Sequence, residues 1–360
     1  MEKNKYIQIY KGKYCDKKVF VPYANKINKV FVFDLDETIG SFKEFIILLK
    51  GIECCKEYFE IKPTENEDNN TIFNELLDLY PEFLRYGILT IFEFLKYKKE
   101  NRDCSKIFIY TNNIFSPKFP LQIKKYFDYK LNTKDFIDQI INAFKVNNKI
   151  IEPNRTTNKK TISDFFNCTL LPNKTEICFI DNTYYSKMKN EKIFYIQPKS
   201  YYHNLSKKNI LQRFFLSDFC KTRFLENEFL FFLEKYYENN IFTIRMRNNS
   251  FSSTSSFDEL LNVSESSRCN SENENGNDNE NDNEKEKEKE SNPSSPNNND
   301  LTRDSPIKKT NTEINIYVSK KLLYHIKEFF YMNYMRTKTK KNRFRIGNFT
   351  RKVGNSRLSL

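Results

Sequence analysis

The chain has 360 residues, 38% of them hydrophobic, with 34 Phe, 22 Tyr and no Trp, which supports a sizeable core in one large or two smaller domains. Its formal net charge is +13, and nine basic residues with no acidic ones lie between Arg336 and Leu360, so the excess sits mainly in a tail and the body is only mildly basic. Eight cysteines without a CxxC pair and only two histidines argue against a zinc site; with no signal-peptide pattern and no apolar stretch of about 18 residues, an intracellular soluble protein with reduced thiols and no membrane partner is expected.

Short edge strands are expected at Tyr6–Tyr10 and Val19–Val21. The apolar run Val30–Phe33 reads as a buried strand of a parallel sheet. Helix-period positions follow over 41–50 and 72–98, separated by a polar loop from Pro63 to Asn70. The strongest amphipathic stretch runs from Phe83 to Leu95, with Pro81 near its start. Ile107–Tyr110 is a second buried strand. Thr133 is expected to cap a helix running to Phe144, Val146–Glu152 to form a hairpin around Asn147-Asn148, and Thr161 to begin a helix through Phe166. Ile177–Ile180 and Ile193–Ile196 are the third and fourth buried strands, the last stopped by Pro198. Ser206 caps a helix burying Ile210, Leu211, Phe214 and Phe215, and helical pattern continues to about Tyr237. The alternation predicts an α/β fold with a parallel sheet between two helical layers.

Composition breaks at Asn248. From there to Thr312 the chain is rich in Ser, Asn, Glu and Pro, including the alternating run Glu284–Glu290, and is too polar to fold alone. Apolar helical spacing resumes from Ile314, through Leu322, Leu323, Ile326, Phe329 and Phe330. The expected organisation is a domain over 1–247, a disordered insertion over 248–313, a helix over 314–335 returning to the domain, and a basic tail over 336–360. Loop closure of this length adds little entropy.

The chemistry gathers at strand ends. The first strand ends in Asp34-Leu35-Asp36-Glu37-Thr38, the second in Thr111-Asn112-Asn113 and the third in Asp181-Asn182-Thr183; Lys159-Lys160 precedes a helix between the last two. Open α/β sheets bind ligands at the carboxyl ends of their strands. Asp34 and Asp36, two apart, share a strand face and can address one site. A phosphoryl group carries charged oxygens that must be neutralised before a carboxylate attacks it. Asp34 can be nucleophile and Mg²⁺ ligand, Asp181 and Asn182 can supply further oxygens, Lys160 a cation and Thr111 a hydroxyl. Asp36 can protonate the leaving oxygen and then activate water. Plainer readings stand beside these: a surface turn for the Asp pair, a helix cap for Thr111, a solvated charge for Lys160 and a turn residue for Asn182. Of the neighbours Lys159 and Lys160, only one can point inward.

Asp34-x-Asp36-x-Thr38, Thr111, the later Lys and Asp181-Asn182 resemble the four motifs of the haloacid dehalogenase (HAD) superfamily phosphatases. The Asp-Leu-Asp-Glu-Thr wording and the Asp-Asn pair are similar to the branch of RNA polymerase II C-terminal-domain phosphatases and NLI-interacting-factor proteins. The segment from Tyr86-Gly87-Ile88 to Thr111-Asn112-Asn113, and Glu176–Asp181, also look like divergent HAD proteins of large DNA viruses and protists. The resemblance covers about residues 28–200. It implies a three-layer Rossmann-like fold, Mg²⁺, and phosphomonoester hydrolysis through an aspartyl-phosphate. It also implies that the Asp36 backbone carbonyl and Asn182 are metal ligands.

This chain departs from that branch at Ile39-Gly40-Ser41, where an apolar residue and a His are usual, in its helical character from Ser41 to Tyr80, and in the 21-residue spacing from Lys160 to Asp181. No large cap domain is evident, although residues 41–80 could form a small one. An open site favours a macromolecular substrate, a phosphoprotein (Ser/Thr) first. A nucleic-acid end phosphatase using the basic tail, where Phe344 and Phe349 lie among the basic residues, is the second enzyme reading. A non-catalytic HAD-fold scaffold is the rival from another class.

Overall fold

The computed structural model describes residues 5–12, 28–61, 69–115, 118–146, 148–172, 175–224, 227–250 and 310–330. The chain divides into one unit of residues 1–255 and 311–360 and a second of residues 256–310. Every element named below belongs to the first unit. The expected strand at Val19–Val21, nearly all of the polar insertion and the basic tail lie outside the described residues.

The strands are β1 (Ile7–Lys11), β2 (Lys29–Phe33), β3 (Lys106–Tyr110), β4 (Gln139–Ile141), the two-residue pair β5 (Lys145–Val146) and β6 (Lys149–Ile150), β7 (Glu176–Ile180) and β8 (Ile193–Pro198). Six of them form one sheet in the order β1-β8-β7-β2-β3-β4. Only β1 runs antiparallel, against β8; the other neighbours are parallel. The helices are α1 (Lys43–Tyr58), α2 (Asn69–Leu79), α3 (Ile88–Glu100), α4 (Phe119–Lys130), α5 (Ile162–Thr169), α6 (Lys207–Leu216), α7 (Asp218–Arg223), α8 (Asn227–Ser250) and α9 (residues 311–330).

The sheet is Rossmann-like and covered on both faces, which its two-residue side-chain period explains. Val30, Val32, Phe108, Tyr110, Ile177, Phe179 and Tyr195 pack against Phe165 and Cys168 of α5. The alternate residues face the other way. Phe33 meets Phe92 of α3 at 5.1 Å between ring centroids, and Phe31 and Phe194 meet Phe329 of α9 at 5.3 and 5.8 Å. Each such phenylalanine, fully buried, contributes about 2–3 kcal/mol of hydrophobic transfer. Residues from 41 to 80 supply α1 and α2; Phe42, Phe45 and Phe73 gather with Phe119 of α4, and Tyr58 stacks on Phe232 of α8.

Three sequence expectations change. The helix expected from Thr133 to Phe144 does not form. Asn132 and Asp135 take left-handed φ values of 47° and 55°, which a helix cannot carry, and Gln139–Ile141 instead pairs with β3 as an edge strand. The helical pattern over 72–98 is cut in two: α2 ends at Leu79, a 3₁₀ turn spans Pro81–Phe83, and Gly87 at φ 72° admits the chain to α3. At the borders of the polar insertion, α8 runs to Ser250 and α9 begins at residue 311, so both margins of 248–313 are helical.

Candidate active site

The strand register places the first residues beyond β2, β3 and β7 side by side. Phe33 pairs with Ile180 and with Ile109. The ladder extends one step further, because Asp34 N donates to Ile180 O (2.9 Å), Asp181 N to Ile196 O (3.2 Å) and Thr111 N to Ile141 O (3.0 Å). Each residue therefore begins the loop at the carboxyl end of its strand while still fixed by the sheet.

After Asp34 the chain makes a tight loop. Ile39 N and Gly40 N both donate to Leu35 O, Glu37 N donates to Gly40 O, and Glu37 adopts φ 58°. Gly40 is needed here: a Cβ would stand 2.5 Å from the Phe83 carbonyl oxygen, so the departure at Ile39-Gly40-Ser41 has a packing cause. The buried Arg85 holds this loop. Its Nε donates to Thr38 O and its Nη2 to Glu37 O, both at 2.5 Å, and Nη2 also reaches Lys199 O at 2.9 Å. Burial lowers the Arg85 pKa to about 10, so it remains charged at neutral pH.

Lys160 is the centre of the site. It is 1% exposed, and its Nζ donates to Asp34 Oδ1 and, at 2.7 Å, to Asp181 Oδ2. Thr161 accepts from Asp164 N at 3.0 Å and starts α5 immediately after it, which turns Lys160 inward and leaves Lys159 exposed. The Thr38 hydroxyl lies 3.1 Å from Asp34 Oδ2 and 2.8 Å from Asn182 Oδ1, and accepts from Asn182 N at 3.0 Å. A hydroxyl has one proton, so it serves one of those two acceptors at a time. The Asn182 amide nitrogen donates to Ser200 Oγ (3.0 Å) and Glu37 Oε2 (3.2 Å). The Asn182 side chain thus faces Thr38, Glu37 and Ser200, and reaches Asp34 only through Thr38.

Asp36 stands on the other side. Its two carboxylate oxygens accept from the Asn113 amide nitrogen at 3.1 and 3.0 Å. The Thr111 hydroxyl is fully buried and accepts from Asn113 N at 2.9 Å, so it forms a local turn and caps no helix.

Two carboxylates, Asp34 and Asp181, share one ammonium, and a third, Asp36, lies near. Burial opposes the Lys160 charge, but Asp181 and Asp34 outweigh it and lift its pKa above the usual lysine range. Burial, with the Asp34 charge added, raises Asp36 to about 7, and raises Asp181 in the same direction. A carboxyl poised near 7 can both give and take a proton at neutral pH. The surplus of negative charge also suits a cation.

Among the described residues, no three His, Cys, Asp or Glu side chains are gathered as a metal cage. Mg²⁺ needs no such cage: it takes oxygen donors, commonly one or two carboxylates, and keeps several waters. Asp34 and Asp181, drawn together by one ammonium, meet that requirement.

Three residues of the site carry no role in the sequence reading. Asn113 binds Asp36. Arg85 and Arg155 are both 1% exposed and bond carbonyls rather than carboxylates. Arg155 Nη1 reaches Asn142 O (2.6 Å) and Thr111 O (3.1 Å), Nη2 reaches Asn112 Oδ1 (2.8 Å), and its guanidinium lies 4.8 Å from the Tyr110 ring centroid. The available signal was position: Asn113 sits two residues past a buried strand, and Arg85 interrupts the apolar run Phe83-Leu84.

No family model matches the chain, and no curated protein is similar to it. Among solved structures, a chain described as the HAD-hydrolase YfnB of Bacillus subtilis bound to magnesium aligns with a TM-score of 0.24 and 13% identity, covering 44% of this chain and 79% of that one. A likeness at that level carries no argument, and the functional reading rests on the site's own geometry. Among the described residues, no helix is long and apolar enough to cross a membrane.

Proposed function

We propose that the chain is a HAD-type phosphatase that hydrolyses phosphomonoesters through an aspartyl-phosphate, with Mg²⁺ as cofactor. The observation that supports this most is the pairing of one buried lysine with two carboxylates at the carboxyl ends of adjacent parallel strands, beside a third carboxyl raised to about 7.

In the first step a carboxylate oxygen of Asp34 forms a bond to phosphorus. The phosphorus–oxygen bond to the leaving group breaks, its electron pair stays on the leaving oxygen, and Asp36 delivers the proton that oxygen needs. In the second step Asp36 takes a proton from water as the water oxygen attacks phosphorus, and the Asp34 carboxylate leaves. Lys160 meets the phosphoryl oxygens with positive charge, and Thr111 offers them its hydroxyl proton, since its oxygen already accepts from Asn113 N. Asp34, Asp181 and the Asp36 carbonyl would hold Mg²⁺; Asn182 would add an oxygen only by turning from Thr38, Glu37 and Ser200, which its side chain now meets. A metal held there would supply positive charge to the phosphoryl oxygens.

Phosphoserine or phosphothreonine in a polypeptide is the substrate class supported by the likeness of Asp34–Thr38 and Asp181-Asn182 to the C-terminal-domain phosphatases. The nine basic residues after Met335 favour, as a second reading, a phosphorylated nucleic-acid end. The test is Mg²⁺-dependent hydrolysis of p-nitrophenyl phosphate by the wild type and by Asp34→Asn. The expected result is turnover reduced by about a thousandfold or more in the folded mutant. Equal turnover in both proteins would sink the aspartyl nucleophile. No turnover in either protein, on this ester, a phosphopeptide or a phosphorylated oligonucleotide, would favour the scaffold reading.

A further inference from the structure

Asn113 is held through its backbone N–H and through both polar atoms of its side chain. Its backbone N–H donates to Thr111 Oγ1 (2.9 Å), its side-chain oxygen accepts from Phe115 N (3.1 Å), and its side-chain nitrogen lies 3.1 and 3.0 Å from the two oxygens of Asp36. The residue is 6% exposed. The Phe115 bond has a specific effect: an N–H can be met only by the carboxamide oxygen, so the amide cannot flip, and its NH₂ must face Asp36. Asn113 comes from the loop after β3, whereas Asp36 comes from the loop after β2. The contact therefore ties two strand ends together beside the Asp36 carboxyl.

We infer that Asn113 is a positioning residue: it holds the Asp36 carboxyl in the orientation from which the leaving oxygen receives its proton, and through its backbone N–H it leaves the Thr111 hydroxyl proton free for a phosphoryl oxygen. This rests on the phosphatase reading above. The step concerned is the transfer to Asp34. As the phosphorus–oxygen bond breaks, the electron pair goes to the leaving oxygen and the Asp36 proton goes with it. A good leaving group departs as a stable anion and needs that proton little, whereas a poor one needs it fully.

The experiment compares kcat/KM on phenyl phosphate and on 2,4-dinitrophenyl phosphate for the wild type, Asn113→Ala and Asn113→Asp in the full chain with Mg²⁺. The value of kcat/KM reports the steps through transfer to Asp34, whichever later step limits kcat. Asn113→Ala is expected to lose about 30–100-fold on phenyl phosphate and less than about 5-fold on the dinitrophenyl ester, with the inhibition constant for inorganic phosphate unchanged within about 2-fold. Asn113→Asp keeps the side-chain shape but sets a carboxylate against Asp36, and should show the same selectivity with a loss on phenyl phosphate at least as large. It also covers the case in which the alanine variant does not fold. An equal loss on both esters, or a loss confined to phosphate binding, would mean that Asn113 only shapes the loop. Full activity of either variant on phenyl phosphate would overturn the assignment outright. Wild type inert on both esters would instead remove the phosphatase reading, and this inference with it.

Discussion

The two ends of the central sheet bury charge in opposite ways. At the amino end, Lys29 is 6% exposed, and its Nζ donates to Phe329 O (2.7 Å), pairs with Glu176 (3.0 Å) and lies 3.9 Å from the Phe329 ring centroid. Here the cation meets a carboxylate, a carbonyl and a ring that favours cations. At the carboxyl end, Lys160 bridges Asp34 and Asp181 while Asp36, near them, is met by the Asn113 amide. The first arrangement pairs its cation with a carboxylate and closes the seam between the sheet and α9. The second is left unbalanced, and perturbed carboxyls in such a place mark chemistry more often than support. Both sites contain a buried lysine; the surplus of negative charge around Lys160 is what separates them.

The sharpest way to break this comparison is to remove each lysine. Lys160→Met leaves two buried carboxylates facing each other without a cation. In metal-free buffer it is expected to lose about 3–5 kcal/mol of stability in urea unfolding, and with Mg²⁺ restored to lose turnover. Lys29→Met leaves Glu176, whose side chain is 23% exposed and can recover water. Its expected loss is about 1–2 kcal/mol, with turnover of the folded fraction retained. Equal losses of turnover in the two variants would mean that the two ends of the sheet do not differ in kind.

A smaller effect follows from the raised pKa of Asp36, which moves from an ordinary 3.8 to about 7 on folding. Between those values the folded chain holds a proton that the unfolded chain has released. The unfolded state binds fewer protons there, so this group's contribution to stability is full below about pH 4 and disappears as pH rises through about 7. Asp36→Asn lacks the titration. In metal-free buffer the urea midpoint of that variant relative to wild type should therefore climb from pH 4 to pH 8. A flat difference would mean that Asp36 ionises normally in the fold, and that the charge surplus at the carboxyl end is weaker than its geometry implies.

What the sequence revealed of this contrast depends on the kind of signal. Buried parallel strands are continuous apolar runs, so Val30–Phe33, Ile107–Tyr110, Ile177–Ile180 and Ile193–Ile196 were legible, and with them the strand ends carrying Asp34, Thr111 and Asp181. The choice between Lys159 and Lys160 was not, because it depends on where Thr161 starts α5. Asn113, Arg85 and Arg155 escaped because they act on backbone carbonyls or on a carboxyl from another loop, and such bonds leave no periodic trace. Phe136, Ile137, Ile140 and Ile141 have spacing that suits a helix as well as a strand. Pairing with β3 decided for the strand, with Asp138 Oδ2 accepting from Ile107 N at 2.8 Å.

The mildest test concerns the joint between local structure and the charge centre. Thr161 caps α5 through its hydroxyl, and its backbone N–H donates to the Tyr110 hydroxyl at 3.3 Å. Losing an N-cap costs about 1 kcal/mol, which leaves most of the molecule folded. The capped turn also aims the preceding residue, so Thr161→Ala should reduce turnover by more than its stability loss explains, whereas Thr161→Ser, which keeps the hydroxyl, should restore both. The corresponding cap on α6, where Ser206 accepts from Asn209 N at 3.1 Å, has no catalytic neighbour among the proposed site residues. Ser206→Ala should therefore cost similar stability and leave turnover intact. A matched loss of turnover in both alanine variants would show that cap strength, rather than the aim of Lys160, controls the rate.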